Sequence, residues 1–305
     1  MTTTTTPAAA PASSVADTAA TRSAPAGRRR GRTPIGRVLL YVALVALAVV
    51  YIYPFLINIA TSFKTDAEAT ADPLSLIPQT WTAQAYETVF FNSAFPRWFA
   101  NSALVTVVVT IGRVLFDSAA GYALARLSFP GRGVLFAGII GVMAVPGVVL
   151  LIPKFLVLNQ LGMYDGYSGL IIPLVADAAG VFIMKNFFES IPVAVEEAAR
   201  IDGASTLRLF WSVVLPMARP ALVTIFILSF QGSWNELSHF IVASQNPDLF
   251  TLTKGVASLA SGQLGAGTQY PVRLAAAVVM TVPVAVLFVI FQRRITNSAA
   301  GAVKE

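Results

Sequence analysis

Glu197-Ala198-Ala199-Arg200-Ile201-Asp202-Gly203-Ala204-Ser205-Thr206-Leu207-Arg208-Leu209-Phe210-Trp211-Ser212-Val213-Val214-Leu215-Pro216 is a polar stretch set between two long apolar runs. It is too amphipathic to span a membrane and too patterned to be a plain loop. A short helix is expected from Pro192 to Asp202: proline at its start lacks an N–H that would go unbonded there, and Glu196 and Glu197 fall in its first turns, where the helix dipole favours carboxylates. Gly203 is placed to end it. Ser205 can then cap a second short helix carrying Leu207, Leu209 and Phe210 toward the next apolar run. Helices this short need a packing surface. A bent helical knob held out on one side of the chain is thus a docking element for another protein.

The flanking composition is that of a membrane protein. Hydrophobic residues make up 56% of the chain and charged ones 12%, with a mean hydropathy of +0.71, well outside the range of soluble domains. The net charge of +6 does not indicate nucleic acid, because the arginines cluster at the ends of apolar runs with no aromatic-rich basic face. With no cysteine, disulfides and thiolate metal sites are excluded. His239 is the single histidine, so a histidine-rich metal site is excluded too, and no role is assigned to it.

Residues 1–33, rich in Thr, Ala, Pro and Ser and closing on Arg28-Arg29-Arg30-Gly31-Arg32, bury almost nothing and are expected to form a disordered cytoplasmic tail. The apolar run Val38 to Ala60 is longer than the core of a secretory signal and reads as a retained first span. Runs able to cross a bilayer, which takes about 20 residues in a helix, lie near 38–60, 98–125, 134–157, 168–188, 216–237 and 272–292. Six spans put both termini on one side. With the N-terminus inside, fifteen Lys and Arg fall inside, five outside and Arg113 within a span, accounting for all 21. The positive-inside rule then places the Glu197 loop in the cytoplasm.

The spacing Glu-Ala-Ala, three residues, Gly203, nine residues, Val213, one residue, Leu215-Pro216 resembles the EAA loop of the membrane subunits of ATP-binding-cassette importers. Glu196 to Ser205 is similar to the sugar-transporting branch in particular. The likeness extends through Asn101-Ser102, Gly121-Tyr122-Ala123-Leu124-Ala125-Arg126, Phe129-Pro130-Gly131-Arg132, Trp234-Asn235-Glu236 and Gly301-Ala302-Val303-Lys304. It resembles the smaller permease of maltose-type importers over nearly everything after Pro34. Val213 stands where the pattern has isoleucine, a swap that keeps the β-branched apolar shape.

The resemblance implies an all-α integral membrane protein, six transmembrane helices in the type I importer permease fold with a cytoplasmic coupling helix, over residues 34–305 with a core near 98–292. It implies that Glu196, Glu197, Ala198, Ala199, Arg200, Ile201, Asp202, Gly203 and Ala204 seat in a cleft of a cytoplasmic ATPase. The implied partners are a second homologous permease forming a heterodimer, two ATPase copies that bind ATP and Mg, membrane lipid, and an extracytoplasmic sugar-binding protein. The implied location is a bacterial cytoplasmic membrane. The chain has no Gly-rich phosphate loop of its own, so ATP-driven work must come from a partner and the chain is expected not to be an enzyme.

Three further features are candidates for function. Arg113 and Asp117 lie one turn apart inside the second span, where an (i, i+4) partner on the same face offsets a lone arginine costing about 2.5–3.5 kcal/mol at a helix centre. They read either as part of a polar pathway or as a structural ion pair. Trp234-Asn235-Glu236 combines an aromatic face with amide and carboxylate groups suited to sugar hydroxyls, or else supplies an interfacial anchor. Of the two long outside loops, Thr61 to Arg97 and Ser238 to Pro271, the second contains Gly262-Gln263-Leu264-Gly265, which by resemblance contacts the binding protein and otherwise is a flexible surface loop. Prolines 54, 146, 153, 173 and 283 lie in or near spans, as bend points or static packing features. The alternatives are an ABC permease for another solute, such as a polyamine or amino acid, and, from a different class, a self-sufficient secondary transporter, which requires an intramembrane ion relay for which Asp117 is the one acid convincingly embedded.

Overall fold

A computed structural model describes residues 34–260 and 269–301. The tail 1–33 and the stretch Gly262-Gln263-Leu264-Gly265 lie outside the described residues. The chain divides into two compact units, Met1–Tyr51 and Ile52–Glu305, with α1 (Pro34–Ser62) belonging in part to each. At 1.5 Å per residue, its 29 residues give about 44 Å, ample for a hydrocarbon core of about 30 Å.

The second unit continues through α2 (Asp66–Ala71), α3 (Gln84–Phe91) and α4 (Phe95–Arg126), then α5 (Arg132–Met143), α6 (Leu151–Gln160), α7 (Tyr167–Ile171) and α8 (Ala178–Ser190). The polar stretch forms α9 (Val193–Ile201), α10 (Thr206–Leu209), a π-turn Phe210–Val214 and α11 (Leu215–Met217). The rest is α12 (Arg219–Trp234), α13 (Ser238–Ala243), α14 (Leu252–Ala260) and α15 (Tyr270–Gly301). Ile35–Ser62, Phe95–Arg126, Tyr167–Ser190 and Tyr270–Gln292 are each long and apolar enough to span, and two bent pairs bring the number to six if each crosses as one span.

The bent pairs occupy two of the expected runs. The third, expected at 134–157, folds by 101° between Arg132–Met143 and Gly147–Gln160. Pro146 sits at the break, where it cannot donate into the preceding turn and biases Val145 away from helix. The fifth, expected from 216, bends by 81° between Thr206–Met217 and Arg219–Trp234, so the membrane helix begins at Arg219. Pro216 and Pro220 flank that corner.

The long helix α4 is the hub of the second unit. It buries Asn101, Ser102, Thr106, Thr110, Asp117 and Ser118 while Val107, Ile111, Leu115 and Phe116 face outward. That inverts a soluble helix and is what a lipid surround selects, since apolar residues cost nothing there and polar ones need protein partners. Three apolar clusters meet along α4. Tyr122 and Ala125 join Met184, Phe188, Leu209, Phe210 and Ile225 at the α9 end. Phe95 and Trp98 join Val89, Trp234, Leu252 and Ala275 at the other end. Val105 and Val109 join Leu158, Leu170, Leu174 and Phe240 between them. The crossing of α4 with α8 is close because Gly121 has no side chain: a Cβ there would lie 2.7 Å from Met184 Cβ and 2.9 Å from Lys185 N.

Candidate coupling loop and transport groove

The helical knob forms as its local chemistry dictates. Pro192 is the N-cap of α9 and Asp202 its C-cap. Gly203 follows with φ +82°, the left-handed conformation glycine adopts at least cost, and its N–H and that of Ala204 return to Arg200 O and Ala199 O. Ser205 Oγ accepts from Arg208 N at 3.4 Å, which caps α10. Leu209 and Phe210 are buried, but Leu207 is 68% exposed.

The two adjacent glutamates have opposite surroundings. Glu196 is buried: Arg126 Nε lies 2.9 Å from its Oε1, an ion pair without good hydrogen-bond alignment, and Tyr122 Oη donates to Oε2 at 3.4 Å. Arg126 Nη2 also donates to Phe188 O at 2.6 Å and to Ile191 O. One guanidinium thus ties the end of α4 to the end of α8 and the start of α9. The Glu197 side chain is exposed, with no hydrogen bond or ion pair among the described residues. Ala198, Arg200, Ile201, Asp202 and Gly203 are exposed with it, while Ala199 and Ala204 are half-buried. Ile201 is 85% exposed and Val193 55%, leaving an apolar rim around the acidic position.

Of the readings open for Arg113 and Asp117, the structural ion pair does not form. Arg113 Nε donates to Leu174 O at 2.6 Å, and Asp117 Oδ1 accepts from Asp177 N at 2.9 Å. Each side chain bonds backbone beside α8 rather than its helical neighbour. Asp117 Oδ2 is buried without a partner among the described residues. Nothing local to α4 announces these partners.

Trp234 is not open to a solute. Its ring is buried, stacks on Phe230 at 5.9 Å between centroids and meets Phe99 edge-on at 5.5 Å. Its Nε1–H donates to Met280 O at 3.0 Å. Glu236 accepts from His239 N at 2.8 Å through its side chain and from Thr253 through its carbonyl, leaving Asn235 as the exposed member of the three. His239 Nε2 lies 3.0 Å from Gly169 O, and burial holds the imidazole below its ordinary pKa. Trp234→Phe is therefore expected to lower stability by about 0.5–1.5 kcal/mol for the lost hydrogen bond and Trp234→Ala by about 3–5 kcal/mol. Neither is expected to change solute preference, as thermal unfolding and competition uptake would register.

A groove between α8 and α12, unmarked by any motif, holds two cavities. The larger, about 500 Å³, lies toward the α9 end and includes Asn186, Ser190, Pro220 and Thr224. The smaller, about 210 Å³, is walled by Arg113, Asp177, Gly180, Ser229 and neighbouring aliphatics. Ile183 lines both.

The chain has a direct counterpart among known families. Residues 118–300 match the model of the binding-protein-dependent transport system inner membrane component. The chain belongs to this family. Among its relatives, the sulfoquinovosyl glycerol transport system permease protein SmoH of Agrobacterium fabrum is 35% identical, over 88% of this chain and 94% of that protein. The diacetylchitobiose uptake system permease protein NgcG of Streptomyces coelicolor is 34% identical over 85% and 86%. In structure, this permease superposes with a TM-score of 0.75 and 27% identity on a chain of a bacterial ABC transporter that imports the acidic polysaccharide alginate, covering 85% of this chain and 96% of that one. The expected all-helical ABC importer permease fold is observed among the described residues, with four helices long enough to span and six spans if each bent pair crosses as one. As its family's members are transport permeases, this permease is a transport component rather than an enzyme.

Proposed function

We propose that this permease is the smaller membrane subunit of an ATP-driven importer for a sugar or oligosaccharide, passing solute from a binding protein to the cytoplasm by alternating access. The relatives named for oligosaccharide and glycoside uptake support that substrate class. Both termini are cytoplasmic, and the chain pairs with a second homologous permease, two ATPase subunits that bind ATP and Mg, and an extracytoplasmic sugar-binding protein. The observation that carries the reading is the α9–Gly203–α10 knob: Glu196 and Arg126 anchor it inside, while Glu197, Ile201 and Leu207 are left bare outside. An apolar rim with an acidic centre suits a partner cleft, and the rigid inner anchor transmits its movement to α4 and α8.

Glu197→Lys and Gly203→Asp are expected to leave insertion and thermal stability of the subunit near wild type while reducing co-purifying ATPase and ATP-dependent uptake at least tenfold, a loss of about 1.4 kcal/mol or more in coupling. A Cβ at Gly203 meets no atom within 4 Å, so such variants strain only the local turn. Wild-type uptake of labelled maltose, cellobiose, N,N′-diacetylchitobiose or digalacturonate by either variant, for whichever of these the wild type accumulates, would rule the knob out as the coupling element.

A further inference from the structure

We propose that the smaller cavity between α8 and α12 is a solute-binding position of this subunit, formed by Arg113, Asp177 and Ser229, and that it takes an uncharged polyhydroxylated ring. The proposal rests on the transport reading for the solute being cargo, and it adds which sugars the groove admits.

Arg113 Nε is committed to Leu174 O at 2.6 Å, which fixes the plane of the guanidinium. Its two terminal amino groups have no acceptor among the described residues, though the side chain walls the cavity. A guanidinium does not deprotonate in proteins, and unmet donors inside a membrane protein are costly. Acceptors must therefore come from whatever fills the space. Ser229 is 4% exposed and its hydroxyl has no partner among the described residues. Asp177 accepts from Gly180 N at 3.2 Å with Oδ2 and keeps further lone pairs for a donor. A fork of donors, a carboxylate and a hydroxyl around one space match vicinal hydroxyls, which donate and accept at once. Ile183, Ile225 and Leu228 provide the apolar wall that the C–H face of a sugar ring requires.

Charge selects within that class. The single guanidinium shares the cavity wall with one carboxylate, that of Asp177. The pocket therefore offers no net positive charge to a carboxylate- or phosphate-bearing solute. With room for about seven waters at roughly 30 Å³ each, a cavity of 210 Å³ suits one ring at a time. Ile183 links it to the larger cavity with Asn186 and Thr224, a polar way onward toward the α9 end.

The chain contains no cysteine, so Ser229→Cys places a single thiol in the subunit. In membrane vesicles holding the assembled importer, the rate at which N-ethylmaleimide labels that thiol is measured without ATP. Maltose, cellobiose, N,N′-diacetylchitobiose and digalacturonate are added in turn. At least one neutral disaccharide is expected to slow labelling about threefold or more, following the occupancy factor 1 + [L]/Kd, and digalacturonate is expected to leave it unchanged. Val148→Cys, on the exposed corner between α5 and α6, is expected to label at one rate throughout. No labelling of Ser229→Cys, no protection by any neutral sugar, or equal protection by digalacturonate would overturn the proposal. Absence of ATP-driven uptake in wild-type vesicles would instead defeat the transport reading, while protection at Ser229→Cys would still report the cavity.

Discussion

Arg126→Ala will release the α9–α10 knob from the helices that hold it. The side chain of Arg126 is 10% exposed and that of Glu196 5%, so removing either leaves a buried charge without its counter-ion, at a cost of about 3–5 kcal/mol. Arg126 also satisfies the carbonyls of Phe188 and Ile191, which close the end of α8. Its loss therefore exceeds that of an ion pair alone. Glu196→Ala should be nearly as damaging, and the double variant should cost clearly less than the two singles together, because each no longer strands the other. Glu197→Ala, one residue along but exposed, should stay within about 0.5 kcal/mol of wild type. Thermal unfolding of the purified subunit, with hydrogen exchange over residues 193–204, separates these outcomes. Additive effects of Arg126→Ala and Glu196→Ala would mean that the pair does not act as a unit.

Gly121→Leu will prevent α4 and α8 from packing. The obstacle to a Cβ at this position includes the backbone nitrogen of Lys185 and not only a movable side-chain tip. Even Gly121→Ala should cost about 1–3 kcal/mol as an overpacked crossing. The leucine variant, with three more carbons directed at the same place, should yield no monodisperse protein. Small residues permit such close crossings in membranes, where no hydrophobic drive brings helices together. Since α4 and α8 both line the smaller cavity, transport and stability should fall together along the series Gly, Ala, Leu. A leucine variant that unfolds at the wild-type temperature would show that this crossing is looser than described.

What could be read in the sequence was local. The bounds of α9, the stop at Gly203 and the cap at Ser205 follow from chemistry within four residues of each position, and all three are as expected. The apolar runs likewise located the spans, but their length said nothing of the 101° and 81° bends, for which Pro146, Pro216 and Pro220 supplied the means and tertiary packing the angle. Arg113 and Asp117 stand at pairing distance along the helix, but the groups they bond lie about sixty residues away, at Leu174 and Asp177. Trp234 resembled a sugar platform until α15 brought Met280 O to its indole nitrogen. Glu196 and Glu197 are indistinguishable in composition, and only Arg126 at the end of another helix tells them apart. The α8–α12 groove left no motif because its walls come from three helices at positions that read as ordinary membrane sequence.

The most direct test of the central claim is uptake in proteoliposomes containing this subunit with its companion permease, ATPase and binding protein. Labelled maltose, cellobiose, N,N′-diacetylchitobiose and digalacturonate serve as solutes, with ATP supplied on the ATPase side. Accumulation of a neutral sugar that requires ATP, and that vanishes when the phosphate-loop lysine of the ATPase is replaced, is the predicted result. Accumulation that persists with the inactive ATPase and follows an imposed proton or sodium gradient would contradict the account and make the chain a secondary transporter.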